Sequence, residues 1–453
     1  MTPNRLRASR RQAGFTLVEL AISLLVIVEV LLAVLMLFDF SNKLSHAQTN
    51  VADMQQNLRI AQNEMNATVR MAGRGGLTFF NTSPGGAVWM SDNVPANTNI
   101  STGDATSPLV VAGTDILTIR GVFAAPMYQV NYLDSTSLVY YTDDWVTVTT
   151  NPSLAATGKL TINAQTAPDG KTLQFLADIV NPPSPPVTLP IHEALIIESA
   201  NNSDVHAVVE LWPGPPTTVS ATQIVLAFRT RGTPLSTAYA TLISGGVFPS
   251  TMKSVSEVGI LEEYRFYIRQ NLSDPTNVGS KLTKARFMPG TNTAWGPPGD
   301  PNNAANLQID LADNILDMQV ALALDSTNHI PRASLPTGVS DNCTLTTIAA
   351  DPANCYISEA ANGVNDDWLY NSTTDNITAA VWTPAQLYYA RLSLLARTDG
   401  RDFKYEAPVL TNIEDHAYLT TDPLNLSNNA ASSTKQRMFR RRILQTVIDL
   451  RNL

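Results

Sequence analysis

The pattern of apolar and polar positions divides the chain into a helical N-terminal part and a strand-rich remainder. The first apolar run covers residues 15 to 38, and its 24 residues are enough to cross about 30 Å of hydrocarbon as a helix. Neither glycine nor proline occurs between Phe15 and Ala72, and the first helix breaker is Gly73. The pattern therefore predicts one unbroken helix over residues 15 to 73.

Beyond Phe40 the predicted helix is polar except for one narrow apolar stripe. The stripe repeats every seven residues, with further apolar residues in alternate positions. Its members are Leu44, Ala47, Val51, Met54, Leu58, Ala61, Met65 and Ala72. We therefore predict a membrane-spanning half over residues 15 to 40 and an amphipathic half over residues 41 to 73. The stripe must dock either against the chain's own globular part or against helices of other chains.

After Gly76 the pattern changes to short apolar runs between turn-rich segments, which is typical of β-strands. The clearest runs are DILTIRGVF from residue 115, LVYYTDDWVTVTT from 138, EALIIES from 193, HAVVELW from 206, QIVLAF from 223, EEYRFYIR from 262, MQVALAL from 318 and YYARLSLLAR from 388. Two proline-rich stretches, residues 181 to 190 and 289 to 303, predict loops or boundaries between lobes. The predicted fold class is α+β, with a long helix followed by a β-rich domain of one or two lobes over residues 74 to 453.

Residues 1 to 14 have the layout of a targeting leader placed before the apolar run. They contain four arginines and no acidic residue. No small-x-small cleavage site follows the run, whereas a small residue, Gly14, stands directly before it. Cleavage at Gly14 would remove the basic leader and keep the membrane helix. Because the arginines hold their side in the cytoplasm, everything after Phe40 is expected across the membrane.

The junction between leader and helix carries a resemblance to a known family. Residues 14 to 19 read GFTLVE, which is similar to the G-F-T-L-x-E signature of type IV pilins and of type II secretion pseudopilins. The resemblance implies that a prepilin peptidase cuts between Gly14 and Phe15 and methylates the new amino group of Phe15. It also implies assembly with other minor and major pilins through this helix, starting from the inner membrane.

Glu19 is a carboxylate within the apolar run. On insertion scales an unpaired acid in hydrocarbon costs on the order of 2.5–3.5 kcal/mol, so a partner is expected. The resemblance implies that the partner is the ammonium group of Phe15 on a neighbouring subunit. Glu19 would then set the axial register between neighbouring subunits during filament assembly. The alternative is that Glu19 lies near the headgroups and reaches water from there.

Glu29 is a second acid, near the middle of the span. It follows Glu19 by ten residues, a rotation of about 280°, so the two acids do not share a helix face. One interpretation is that Glu29 is protonated or satisfied within a helix bundle. The other is that it pairs with a particular partner helix and makes the chain selective for its neighbours.

A second resemblance extends through the β-rich part. The order of TDILTIRG, VGILEEYRFYIR, NILDMQVALALD, YYARLSLLAR and the closing RMFRRRILQTVIDLRNL is similar to the periplasmic region of PilW-type minor pilins. This resemblance implies a low-abundance subunit that helps to prime or cap the pilus, with its head in the periplasm and later at the cell surface. A tip adhesin and a minor pseudopilin of type II secretion are the alternatives.

Charge argues against nucleic-acid binding by the bulk of the chain. The first 14 residues hold four of the 30 basic side chains, so the remainder carries 26 basic and 39 acidic side chains, a net charge of −13. Charged residues make up only 15% of the chain, which favours an exported β-rich protein over a cytoplasmic enzyme.

Cys343 and Cys355 are the only cysteines of the chain. In an oxidising compartment beyond the membrane, this spacing favours a disulfide that contributes about 3 kcal/mol in the loop-entropy model. Two free thiols are the alternative. A zinc site is not predicted, because it needs four ligands and the nearest histidine, His329, has no close companion.

No enzyme signature is complete. Residues 250 to 253 match S-x-x-K and residues 340 to 342 match S-D-N, but the K-T-G element of penicillin-recognising serine enzymes is absent downstream. The acid pairs at residues 143 to 144 and 366 to 367 are interpreted as solvated turns, with calcium binding as the alternative. We therefore predict neither a catalytic, cofactor nor metal site.

Overall fold

The protein is described here by a computed structural model. The structure describes residues 16–75, 77, 87–96, 98–100, 109–123, 127–129, 138–140, 157–163, 194–199, 206–211, 219–220, 223–229, 255–270, 279–287, 289, 308–325, 368–370, 386–402, 405–418 and 437–450. The proline-rich stretch 181 to 190 and nearly all of the stretch 289 to 303 lie outside these residues.

One long helix opens the described chain. Helix α1 runs from Leu17–Val69 without interruption over 53 residues, which confirms the predicted continuous helix. The chain turns at once after it, where Gly73 and Gly75 adopt φ angles of 77° and 107° that only glycine reaches without strain. The Gly73 N–H then donates to the Arg120 carbonyl at 2.9 Å, so the end of the helix is joined directly to the sheet region.

The rest of the described chain consists of antiparallel strands. The strands that form the larger sheet are β1 (Val88–Ser91), β2 (Ile116–Gly121), β3 (Tyr128–Gln129), β4 (Leu138–Tyr140), β5 (Thr157–Asn163), β6 (Ala194–Ser199), β7 (His206–Leu211), β8 (Val219–Ser220), β9 (Gln223–Arg229), β10 (Val255–Arg269), β11 (Lys281–Phe287) and β12 (Gln308–Asp313). The remaining strands are β13 (Ile315–Asp325), β14 (Trp368–Leu369), β15 (Gln386–Arg397), β16 (Asn412–Ile413), β17 (His416–Ala417) and β18 (Arg441–Asp449). A long helix followed by antiparallel sheets confirms the predicted α+β class.

Strand β10 is the centre of the larger sheet. Its C-terminal half pairs with β2 on one side and with β11 on the other, through residues 262 to 269. Its N-terminal half pairs with β6 and β3, and the path continues from β6 through β7, β9 and β5 to β4. Because β10 pairs with four strands, the order of this sheet depends on the packing of one long segment.

The smaller sheet has the order β14-β13-β15-β18. Strand β13 is buried at every position from residue 315 to 323, which indicates that both of its faces are covered. Strand β15 pairs along its length with β13 and with β18, where Tyr389 lies opposite Asp449 and Arg397 opposite Arg441. The short hairpin β16–β17 contributes Ile413, which joins Leu316 and Leu395 in a buried cluster.

The chain divides into two compact units, Met1–Asp53 and Met54–Leu453. Both sheets belong to the second unit, together with the last turns of α1. The apolar stripe of the helix is buried there, since Leu58 is 2% exposed, Met65 is fully buried and Ala72 is 1% exposed. The part of the stripe from Met54 onward therefore docks against the chain's own globular part. In the first unit, Leu44 remains 48% exposed.

Candidate assembly helix and the polar contacts of the head

The first unit presents an apolar surface on all sides of the helix. Every side chain from residue 16 to 46 is exposed, including Leu17 at 84% and Phe38 at 63%. Among the described residues, α1 is the one helix long and apolar enough to cross a membrane. A continuous apolar surface of this size is not stable against water and requires lipid or partner helices.

Thr16 and Glu19 form a reciprocal cap at the start of this helix. The N–H and the hydroxyl of Thr16 donate to Glu19 Oε2 at 3.0 and 2.9 Å, and the Glu19 N–H donates to Thr16 Oγ1 at 3.3 Å. This is a capping box, in which a threonine and an acid three residues later satisfy backbone groups at the helix N-terminus. The T-x-x-E spacing of residues 16 to 19 is a sequence signal from which this cap could have been predicted.

The cap gives Glu19 a role within its own chain in addition to the predicted contact with a neighbour. Its carboxylate stays exposed, so it remains accessible to a partner group. Gly14 and Phe15 lie outside the described residues, and their predicted processing and pairing stay predictions. The same holds for the predicted bridge between Cys343 and Cys355.

Polar contacts fix the last turns of α1 onto both sheets. Lys284 Nζ on β11 donates to Glu64 Oε1 at 2.8 Å and to Thr68 Oγ1 at 3.3 Å. On the smaller sheet, Gln62 Nε2 donates to Thr446 Oγ1 of β18 at 2.6 Å. Because these contacts flank the buried apolar stripe, they fix the rotation of these last turns as well as their position on the sheets.

A buried carboxylate lies between two arginines at the centre of the larger sheet. Glu263 Oε2 accepts from Arg120 Nε at 2.6 Å, and Glu263 Oε1 accepts from Arg265 Nη2 at 2.6 Å and from Arg265 Nε at 2.8 Å. Glu263 is fully buried, and its two partners are 2% and 7% exposed. The guanidinium of Arg265 also lies 4.1 Å above the ring of Phe287. This cluster joins β2 to β10 electrostatically as well as by backbone pairing.

A second buried acid connects the two sheets. Asp115, directly before β2, accepts from the Asn93 N–H at 2.9 Å and from the Val320 N–H of β13 at 2.7 Å. Its own N–H donates to the Met318 carbonyl at 3.0 Å. The carboxylate therefore acts as a bridge from the larger sheet to the central strand of the smaller one.

The β16–β17 hairpin is held on β13 by a neighbouring polar cluster. His416 Nδ1 lies 2.9 Å from Asp317 Oδ2, and the Tyr418 hydroxyl donates to the same oxygen. The imidazole packs against Gly113, where φ is +79° and an added Cβ would lie 2.6 Å from His416 Nε2. No function is predicted for these residues from the sequence, and their contacts indicate a structural role.

The bridging acid makes the stability of the head dependent on pH. Burial raises the pKa of the Asp115 carboxyl well above its usual range, and the nearby carboxylates of Asp92 and Asp415 act the same way, against the two donating N–H groups. The folded state then binds this proton more tightly than the unfolded state. The stabilisation of the folded state by this bound proton is complete below the pKa of Asp115 in the unfolded chain, about 3.9. It is lost as pH rises through the raised pKa of Asp115 in the folded protein.

We therefore expect Asp115→Asn to be most destabilising relative to wild type at acid pH. The amide cannot accept from both N–H groups, but it carries no proton to lose. The measurement is the free energy of unfolding of both proteins by denaturant across a pH series. The difference between them should shrink as pH rises, and a difference that is constant with pH would contradict the assignment.

The described residues contain no group of three or more His, Cys, Asp or Glu side chains that could hold a metal ion. The partial serine-enzyme matches at 250 to 253 and 340 to 342 lie outside the described part of the chain, as do the acid pairs at 143 to 144 and 366 to 367. The predictions on those segments stay predictions.

Comparisons with known proteins include a weak similarity to a solved structure. No protein-family model matches the chain, and no curated protein matches it. Among solved structures, the chain is similar to a type IV-like pilin from Thermus thermophilus, with 11% sequence identity, covering 58% of this chain and 85% of that chain. The TM-score is 0.15, and at that value the similarity carries no argument about this chain's fold or function.

Proposed function

We propose that the chain is a minor type IV pilin of the PilW type, a structural subunit that takes part in priming or capping pilus assembly at the filament tip. The observation that carries the proposal is an apolar helix that begins within the GFTLVE motif of residues 14 to 19, is exposed on all sides over its first half, and ends buried in a β-rich head. In such a subunit the exposed half enters the membrane first and the helix bundle of the filament later.

The contacts of the last turns of α1 support a subunit whose head includes the end of the helix. Lys284 contacts Glu64 and Gln62 donates to Thr446, so these turns are joined to both sheets, and the apolar stripe from Met54 onward is buried.

The proposal assigns a structural rather than a catalytic role, with no cofactor. The partners are a prepilin peptidase, other minor and major pilins through the N-terminal helix, and the inner membrane, and nucleic acid is not among them. The head lies in the periplasm after insertion and reaches the pilus or cell surface after assembly. The acidic balance of the chain beyond its leader supports the exclusion of nucleic acid.

We expect the mature protein to begin at a methylated Phe15 and to be recovered with sheared pili. Cleavage after Gly14 removes the basic leader, which frees the amino group that Glu19 is proposed to meet. The measurement is intact mass of the protein extracted from membranes and from sheared pili, with a strain that lacks the prepilin peptidase as the control.

Retention of Met1 in cells with an active peptidase would contradict the processing step. Deletion of the gene then separates the functions: loss of pili assigns assembly, and normal pili with lost attachment assign a tip adhesin. Normal pili with lost protein secretion would assign a pseudopilin of type II secretion.

A further inference from the structure

Three acidic residues lie at equal intervals along the exposed part of α1. Glu19, Glu29 and Asp39 follow one another at intervals of ten residues. At the rise of an α-helix each interval is about 15 Å, so the outer two are about 30 Å apart, the thickness of a bilayer's hydrocarbon core. If Glu19 and Asp39 lie at the two membrane surfaces, Glu29 lies at the midplane.

The two outer acids have partners on their own helix, and the middle one has none among the described residues. Glu19 is capped by Thr16, and Asp39 accepts from Lys43 Nζ at 2.6 Å. The side chain of Glu29 makes neither a hydrogen bond nor an ion pair in the described part of the chain. Its neighbours one turn away along the helix are all apolar: Leu25, Val26, Leu32 and Ala33.

Another copy of this chain cannot supply a cation at that depth. No lysine, arginine or histidine occurs from Phe15 to Asn42, and the first is Lys43, about 21 Å along the axis from Glu29. In a parallel unshifted pair, Glu29 would meet Glu29. In the shifted register that places a neighbour's Phe15 beside Glu19, Glu29 would meet Leu25.

We infer that Glu29 pairs at the membrane midplane with a basic side chain on the membrane helix of a different protein. This inference rests on the proposed membrane-anchored subunit. Charge complementarity indicates that the partner of Glu29 is basic, because a carboxylate removed from water is best compensated by a cation that also donates hydrogen bonds. The pairing would decide which helix can be this subunit's neighbour, since a helix without the basic residue leaves the acid unpaired.

The test uses the full chain in its native membrane with a photo-crosslinking amino acid at one of two positions. Position 25 lies about 40° from Glu29 around the helix, and position 27 lies about 160° away and serves as the matched control. We expect position 25, and not position 27, to crosslink to a second membrane protein. In the Glu29→Gln variant this crosslink should fall by about tenfold or more, because the partner's buried cation loses its counter-charge.

The captured helix must carry lysine, arginine or histidine at its mid-span. Replacing that residue with glutamate should abolish the crosslink, and combining that change with Glu29→Lys should restore it. A crosslink to a second copy of this chain, or a captured helix without a mid-span basic residue, would overturn the inference. So would an unchanged yield in Glu29→Gln, or the absence of any protein crosslink, which would indicate a protonated acid facing lipid.

Two further readouts separate this inference from the proposed function. Resistance to alkaline extraction reports whether the chain is inserted, and recovery in sheared pili reports whether it is a pilus subunit. Wild-type protein in pili with an unaffected Glu29→Gln crosslink rejects only the pairing. A charge-dependent crosslink in protein that never enters pili rejects only the pilus role.

Discussion

Replacing Glu263 with glutamine is expected to lower the free energy of unfolding of the head by about 3–5 kcal/mol, because two buried guanidinium groups lose the carboxylate that neutralises them. Glu263 lies on the strand that organises the larger sheet and contacts Arg120 and Arg265 at 2.6 Å each. The measurement is denaturant unfolding of the unit Met54–Leu453, carrying the wild-type or variant side chain.

Two matched variants test whether the expected loss of stability comes from the burial of the charges around Glu263. Glu406 pairs with Arg437 at 2.7 Å but is 62% exposed, so Glu406→Gln should cost less than about 1 kcal/mol. Replacing Arg120, Glu263 and Arg265 together by apolar residues of similar volume should cost less than the single change, because no unbalanced charge remains. Equal effects of Glu263→Gln and Glu406→Gln would contradict the role assigned to the cluster.

The same cluster shows why strand β10 was only partly predictable. The sequence predicts a strand from Glu262, whereas the observed strand begins at Val255 and includes Gly259 and two adjacent acids. Acidic side chains normally mark exposed positions, but Glu262 and Glu263 are 2% and 0% exposed. The charge of Glu263 is compensated in part by Arg120, which is 143 positions away, and local patterns carry no information about such a partner.

The final strand β18 was not predicted as a strand for a similar reason. It begins with Arg441 and Arg442, and its exposed positions include Ile443 and Val447, so apolar and polar residues do not alternate cleanly between a buried and an open face. Its position is set by backbone pairing with β15 over nine residue pairs. Such tertiary pairing is a property of the assembled sheet and overrides local preference.

The helix was predictable in extent but not in its division. The segment without glycine or proline predicts the continuous helix, and the seven-residue spacing of apolar residues predicts the apolar stripe. The spacing is the same at Leu44, which is exposed, and at Leu58, which is buried, so it cannot show where burial begins. The second compact unit starts at Met54, and helical residues such as Leu58 and Met65 are part of its core.

Glu19→Gln is expected to reduce the amount of this subunit in sheared pili to about a tenth or less of wild type at equal membrane abundance. Glutamine keeps an oxygen that can accept from Thr16, so the capping box survives while the charge is lost. The reason for the loss is the missing attraction to the Phe15 ammonium of a neighbouring subunit. Insertion into the membrane should be unaffected or easier, because a neutral side chain lowers the cost of entering hydrocarbon.

Thr16→Ala is the matched control, because it makes the opposite change. It removes the hydroxyl of the cap, which costs the helix start about 0.5–2 kcal/mol, and it leaves the carboxylate charged. If the charge of Glu19 sets the register, Thr16→Ala should reach pili nearly as well as wild type. Both variants should still begin at Phe15, because neither change lies at the bond cut after Gly14.

The two substitutions together distinguish three roles for Glu19. Loss of recovery in Glu19→Gln alone assigns the carboxylate to contact between subunits. Loss in Thr16→Ala alone would instead assign Glu19 to the helix cap, and normal recovery of both would leave a surface acid that reaches water from the headgroups. The experiment must be done with the wild-type copy removed, since a filament primed by wild-type subunits would mask a variant that enters it poorly. Under that condition, comparing Glu19→Gln with Thr16→Ala shows whether the carboxylate acts through its contact with Thr16 in its own chain or through a contact with a neighbouring chain.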